Sequence, residues 1–209
     1  FGNNVVLPAD YENQRQGFLV HFNETGTAVW ADYIDSMINS SVEFVSTVIL
    51  DSNDNILISG QVRSEENTQN VFLRLYDSSG ALLSNNISSV GTNDGISYDN
   101  GLILNIDNLG NIYLIISSNS DTELNGLTAT PSFYNNYVIS LFKFDQSLSP
   151  IYGYNISRNI SGVEGLEIVD DKIYISSSIS QAMLNNQVYA PNLLPSILCI
   201  NTDAVFSKF

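Results

Sequence analysis

Apolar residues in this chain run in short stretches, alternating with polar ones or continuous, and each stretch stops at a cluster of Asp, Asn, Ser or Gly. No stretch keeps the three-to-four spacing of an amphipathic helix, so the pattern predicts strands throughout. Ser and Asn are abundant, and both compete with the backbone for helical hydrogen bonds. The chain is read as all-β. The stretches also recur in a fixed order at a period of roughly 55 residues, the mark of a repeat architecture. A hairpin formed by residues 48–50, the turn Asp51-Ser52-Asn53-Asp54-Asn55 and residues 56–59 returns as 104–106, Asp107-Asn108-Leu109-Gly110-Asn111 and 112–115. A shortened copy spans 168–175 around Asp170-Asp171. Asp, Asn and Gly tolerate the left-handed backbone that such turns need.

A second motif follows each hairpin: residues 18–22, 72–76, 139–144 and 197–200, ending before Asn23, Asp77, Asp145 and Asn201. After a turn carrying Gly26, Gly80, Leu148 or Ala204 comes a further strand, at 28–34, 81–87, 151–156 and from Val205 onward. Four strands per unit, a to d, make the blade of a β-propeller. Strand c is apolar on both faces, as in Leu19, Val20 and Phe22 or Ile139, Leu141, Phe142 and Phe144. A one-sided sheet would alternate, whereas a blade packed on both sides would not.

The expected architecture is therefore about four four-stranded blades, forming either a closed propeller or an arc of a larger one. The units fall at about 1–38, 39–92, 93–160 and 161–209, by the repeat logic of such chains. The first is expected to enter at strand b, through Asn4-Val5-Val6-Leu7. Residues 119–136 and 180–195 read as irregular insertions between strands b and c. Phe22, Tyr76, Phe144 and Ile200 are expected at one equivalent, buried position of successive strands c.

Residues 18–22, Gly26, Val29-Trp30-Ala31 and 107–113 resemble the bacterial and viral seven-bladed β-propeller repeat family, abbreviated SBBP. In that family a strand ending in Phe-Asp is followed by a Gly turn, a Leu-Trp-Ala stretch and Asp-x-x-Gly-Asn before a Tyr-rich strand. Nearly the whole chain is covered, although Trp30 has no counterpart in later units and the third hairpin lacks the Gly-Asn pair. The resemblance implies a fold, and extracellular or surface modules without an assigned reaction.

Charge narrows the partners. A net charge of -15, from 22 acidic and 7 basic residues, repels phosphate backbones and anionic membrane surfaces. Neither nucleic-acid binding nor membrane insertion is expected, and no stretch has the length of apolar residues a spanning helix needs. Cys199 is the single cysteine and has no internal disulfide partner, and the single histidine, His21, lies in another unit. A buried small residue is the simpler account of Cys199.

Chemistry-bearing motifs are sparse. Residues 51–55 match the opening of a calcium loop, yet Ile56 stands where its Gly belongs and Val62 where its closing carboxylate belongs. No metal and no cofactor are expected. No nucleophile elbow, phosphate loop or His/Cys metal spacing occurs, and Asp32 with Asp35, or Asp94 with Asp99, are scattered acids rather than a specified pair. The chain is read as non-catalytic, with a hydrolase using an unrecognised acidic site as the third reading.

Aromatic residues near strand ends or loops, Tyr11, Tyr33, Tyr98, Tyr134 and Tyr137, suit stacking on a sugar, and Tyr98, Tyr134 and Tyr137 are the ligand candidates. Five Asn-x-Ser/Thr sequons, at Asn23, Asn39, Asn86, Asn155 and Asn159, are about as many as chance supplies. All are placed on the c-to-d turn, strand d or the connection beyond, where a glycan would meet solvent. The leading functional reading is a structural or assembly module, extracellular or on a cell or virion surface, with protein partners or copies of itself. The second is a carbohydrate- or protein-binding adhesion domain.

Overall fold

The computed structural model describes residues 4–7, 17–34, 40–64, 69–90, 99–119, 121–129, 138–184, 187–191 and 195–202. These residues form strands and turns and no helix. In chain order the strands are β1 (Phe18–Phe22), β2 (Ala28–Tyr33), β3 (Ser40–Leu50), β4 (Ile56–Ser64), β5 (Gln69–Tyr76), β6 (Leu82–Ile87), β7 (Ser89–Val90), β8 (Asp99–Ile106), β9 (Ile112–Ser118), β10 (Thr122–Leu124), β11 (Leu127–Ala129), β12 (Val138–Phe144), β13 (Pro150–Val169), β14 (Lys172–Leu184), β15 (Gln187–Pro191) and β16 (Pro195–Asn201). All pairings are antiparallel.

One turn, used five times, connects these strands. It starts at Asn23, Asp51, Asp77, Asp107 or Asp145. The first residue donates its N–H to the carbonyl of the fifth at 2.9–3.0 Å, and its own carbonyl accepts from the fourth at 2.9–3.2 Å. Its Oδ1 accepts two further backbone N–H groups, from the third and fifth residues, at 2.7–3.1 Å. The fourth residue, Gly26, Asp54, Gly80, Gly110 or Leu148, is left-handed, with φ between 60° and 89°. This is the three-residue hairpin loop with a left-handed closing residue. Asx at the first position is what satisfies the inward-pointing amides.

At Asp77, Asp107 and Asp145 hydrogen bonding favours the charged carboxylate. The Ser79 hydroxyl and the Ala81 N–H hold Asp77 below the ordinary carboxylate value, and the Ser147 hydroxyl leads the same effect at Asp145. At Asp107 burial is the largest single influence and pushes upward. Bonds from Asn111, the Tyr113 hydroxyl and the Leu109 N–H together outweigh it, so this carboxylate is lowered as well. Burial and the Asp107 carboxylate together push the Tyr113 hydroxyl up.

β3 to β6 make a four-stranded meander in sequence order. The next sheet has seven strands, in the order β8, β9, β12, β13, β14, β15, with β16 also paired to β14. β13 is long enough to serve twice: β8, β9, β12 and the first part of β13 make one layer, the third sheet, and the rest of β13 with β14 to β16 makes another, the last sheet. Residues 150–158 of β13 pair with β12, while residues 157–169 pair with β14. Register shifts after Ile160 and Val163 mark the bulges at which it bends, as bulges bend strands. The last strands, β14 and β16, thereby return across the face of β9 and β12, so that Tyr113, Ile115 and Leu141 are buried with Ile173, Ile175, Leu198 and Ile200.

The sheets stack face to face, and side-chain alternation explains how. On β5, Leu73 and Leu75 face β9 and β12, which present Leu114, Phe142 and Phe144. The alternate residues Phe72 and Tyr76 face the first sheet, where they meet Ile34, Leu19 and Trp30. Arg74 is also fully buried on that side, its guanidinium 4.6 Å from the Phe72 ring and its Nε donating to Asn85 Oδ1 at 2.8 Å. Each strand c thus turns one set of residues toward the preceding sheet and the other toward the next. Lys143 reaches across the last junction, donating to the Thr202 carbonyl at 3.3 Å.

The all-β expectation is met by antiparallel sheets, and the described residues form no closed barrel and no closed ring of sheets. Several finer expectations are corrected. The first sheet has two strands, because Asn4 to Leu7 form no strand of it and Val5 makes only an isolated bridge. Phe22 is 49% exposed, whereas Tyr76, Phe144 and Ile200 are buried. Its column points toward a preceding sheet, and no described sheet lies there. Within the stretch 119–136 the described residues 121–129 are regular: Asn125-Gly126, both left-handed, closes a hairpin of β10 and β11, and β10 pairs with β7. Asn-Gly is the strongest short hairpin signal. Similarly, β15 pairs back onto β14 within the second supposed insertion.

Two expected outcomes follow from the packing and the turns. Phe144→Ala should lower unfolding free energy by about 3 to 5 kcal/mol. Phe22→Ala in the same sequence column should change it by no more than about 0.5 kcal/mol, and urea unfolding curves compare them directly. Lowered carboxylates stabilise the fold fully above the unfolded Asp value of about 4, and this contribution is lost as pH falls through the lower folded values. The double variant Asp77→Asn/Asp145→Asn keeps an Oδ1 acceptor, as Asn23 does, but does not titrate. Urea midpoints of parent and variant should therefore converge on acidification; parallel decline would show that these turns carry no pH dependence.

Candidate groove beside the first strand

In the second and third sheets strand c lies between two neighbours: β5 between β4 and β6, and β12 between β9 and β13. β1 is paired with β2 alone among the described strands. Gly17 accepts from Ile34 N–H and Asn23 donates to Thr27, each at 2.9 Å, so the odd-numbered residues of β1 bond toward β2. By alternation the backbone groups of Val20 and Phe22 point to the other edge.

Beside that edge lies a cavity of about 540 Å³. Leu19, Val48, Leu50 and Ile56 line it with apolar surface, and His21, Trp30, Asp54 and Ser78 add polar atoms. Its floor is unusual for this chain. Val48 is 55% exposed, while Leu104 and Leu166, at the same place in the next two hairpins, are 3% and 7% exposed. Those two are covered by the preceding sheet; Val48 and Leu50 lie beyond the reach of the two-stranded first sheet.

Trp30 fixes the groove's second wall. Its Nε1 donates to the Ser78 carbonyl at 3.1 Å, and His21, its cross-strand partner, meets it edge-on with ring centroids 5.8 Å apart. A Cβ on Gly80 would stand 3.2 Å from the indole, so a glycine there lets the ring lie against the turn. Trp30 therefore ties the first sheet to the 77–81 turn of the second. No later unit has a tryptophan here, but Tyr152 occupies the equivalent place in the third and donates its hydroxyl to the Thr202 carbonyl at 3.0 Å, so the expectation that Trp30 lacks a counterpart is corrected. What sequence reasoning missed was the groove: its lining residues read as ordinary strand positions.

Tyr98, Tyr134, Tyr137, Tyr11, Asn39, Asp35 and Asp94 lie outside the described residues. Tyr33 is half-buried at the end of β2. Asn23 is exposed at its turn, and Asn86 is half-buried on β6. Asn155 is buried, contrary to the expected solvent-facing placement, and its Oδ1 accepts from the Ser140 hydroxyl at 2.8 Å. Strand d is not an outer rim here, because the face of β13 that carries Asn155 and Gly153 is shared with Ser140 and Phe142 and is covered by the β10–β11 hairpin. Asn159 is on β13. Asp32 Oδ1 accepts from the Tyr33 N–H at 2.8 Å. The Asp51 carboxylate is engaged by Asn53 and Asn55, which accounts for the calcium-like run as a turn. Cys199 is buried in the last sheet, and His21 is in the first.

Among the described residues no three His, Cys, Asp or Glu side chains gather as a metal site, and no helix is long and apolar enough to cross a membrane. An apolar groove with a few polar atoms and an open strand edge suits binding of an apolar or extended ligand. No family model matches the chain, and no curated protein matches it.

Proposed function

We propose that the chain is a non-catalytic structural and assembly module built as a propeller-type arc of the SBBP kind, working outside the cell or on a cell or virion surface. The observation that carries this reading is the pair of uncovered sheet faces at the ends of the stack. At each internal junction a face of one type, represented by Leu73 and Leu75 or by Leu141, packs on a face of the other type, represented by Phe142 and Phe144 or by Leu198 and Ile200. The first sheet leaves a face of the second type open, with Phe18, Phe22 and Val29 about half exposed. On the last strand, β16, Ile197 on the face of the first type is 70% exposed, while Cys199 two residues on is buried, so this face is open at its Ile197 end. The two ends are therefore complementary in kind, and a head-to-tail contact repeats an interface the chain already uses three times. Such heterologous contacts build rings or filaments.

Light scattering on size-exclusion fractions over a range of concentrations should show mass increasing with concentration. Phe22→Asp and Ile197→Asp, at opposite ends, should each suppress it. A monomer at all concentrations up to about 100 μM, well above the micromolar range of weak specific association, would overturn the assembly reading. In material from a glycosylating host, glycopeptide mapping should find Asn155 unmodified, since a sugar there is incompatible with its buried bond to Ser140.

A further inference from the structure

We propose that the groove beside β1 is an acceptor for an extended peptide strand, which pairs antiparallel with β1 and covers Val48 and Leu50. This goes beyond the assembly reading and stands even for a monomeric chain. What belongs in the groove is displayed three times in the same molecule. At the corresponding edge of β5, β12 and β16 lie β4, β9 and β14, each antiparallel. These strands carry Ile-Leu-Ile-Ser from Ile56, Ile-Tyr-Leu-Ile from Ile112 and, after Lys172, Ile-Tyr-Ile-Ser from Ile173. Their alternate residues Leu57, Tyr113 and Ile115 point to the following sheet and are buried there. In the first unit that direction leads onto Val48 and Leu50, the exposed floor.

The ligand class follows from this geometry. Its backbone must be free to hydrogen-bond with Val20 and Phe22, so it is an extended segment without proline at the bonding positions. Its alternate side chains must be large and apolar, Leu, Ile or Tyr, to cover the floor. A charged side chain at those positions would be buried against apolar surface without a partner. Main-chain pairing gives affinity, and the Val48–Leu50 floor with the Trp30 wall gives selectivity.

Trp30 is the only tryptophan and lines the groove, so its emission reports occupancy. The probe is a synthetic peptide of residues 110–118, Gly-Asn-Ile-Tyr-Leu-Ile-Ile-Ser-Ser, with a C-terminal Lys-Lys tag for solubility. It is titrated into the Ile197→Asp variant, so that copies associating through the stack ends do not contribute to the signal. A saturable change in Trp30 emission is expected. The same peptide N-methylated at alternate amides should fail to produce it. Val48→Asp and Leu50→Asp, at exposed positions, should weaken binding at least about tenfold, or 1.4 kcal/mol, with a circular dichroism spectrum that matches the parent's. No emission change and no anisotropy change of a labelled peptide up to about 1 mM would overturn the proposal, as would equal binding of the N-methylated peptide. Failure here leaves light-scattering results for the parent chain untouched, and a strictly monomeric parent leaves the peptide titration interpretable.

Discussion

The hydrogen bonds from one Asx side chain to two backbone amides are the constraint on which the stack depends. Each of the five turns reverses the chain within five residues and places one residue in left-handed backbone. It thereby sets the register of the strands it joins. Register decides everything downstream, because a slip of one residue exchanges the two faces of a strand. Here both faces are buried against different neighbours, so a slip would drive Arg74 into the junction built around Leu73 and Leu75. Leu148 shows how firmly the turn is imposed. It adopts the left-handed conformation that usually falls to Gly, at a cost of about 1–2 kcal/mol, and its burial in the junction between the second and third sheets offsets that cost.

Stacking of units through nearest neighbours has an unavoidable consequence at the ends. Each internal sheet gains from two junctions, and each terminal sheet from one. The first sheet is the weaker case, since it has two strands and a two-stranded hairpin is marginal by itself. It is held through Ile34, Leu19 and Trp30 against the second sheet, together with the Trp30 bond to Ser78. The exposed columns and the open edge of β1 have one origin: neighbours that every other unit possesses are not present on those sides among the described residues.

Much of the fold was legible in the sequence. Asp, Asn and Gly between apolar runs located the turns, and the columns ending at Phe22, Tyr76, Phe144 and Ile200 identified strands that share an orientation. The sequence did not reveal which orientation meets a neighbour. Phe22 and Phe144 carry the same side chain before the same kind of turn, and only the stacking order exposes one and buries the other. Insertions were misjudged because the Asn125-Gly126 signal sits between very short strands, each of three residues, whose composition is not distinctive. A solvent rim is expected for Asn155 because strand d is an outer strand in an isolated blade; the β10–β11 hairpin, a feature outside the four-strand unit, covers the face that Asn155 shares with Ser140 and Phe142.

The groove was illegible for a different reason. It is defined by what stands beside Val48 and Leu50, two residues indistinguishable in sequence from Leu104 and Ile106. A repeat conceals such a site because its residues are chosen to fit a neighbour supplied elsewhere in the chain. Trp30 was the irregularity that pointed there, an indole at a column where the second unit has Ser84 and the third has Tyr152, whose hydroxyl likewise donates to the next unit at the Thr202 carbonyl. Its indole compensates for the small contact area of a two-stranded sheet by lying against Gly80 and bonding Ser78. Anchoring the first sheet at its β2 side in this way leaves β1 as the edge, and the open backbone groups of Val20 and Phe22 lie beside an apolar floor rather than bulk solvent alone. An edge in those surroundings favours pairing over hydration, because a strand laid along it satisfies the backbone and removes the Val48 and Leu50 surfaces from water in the same event.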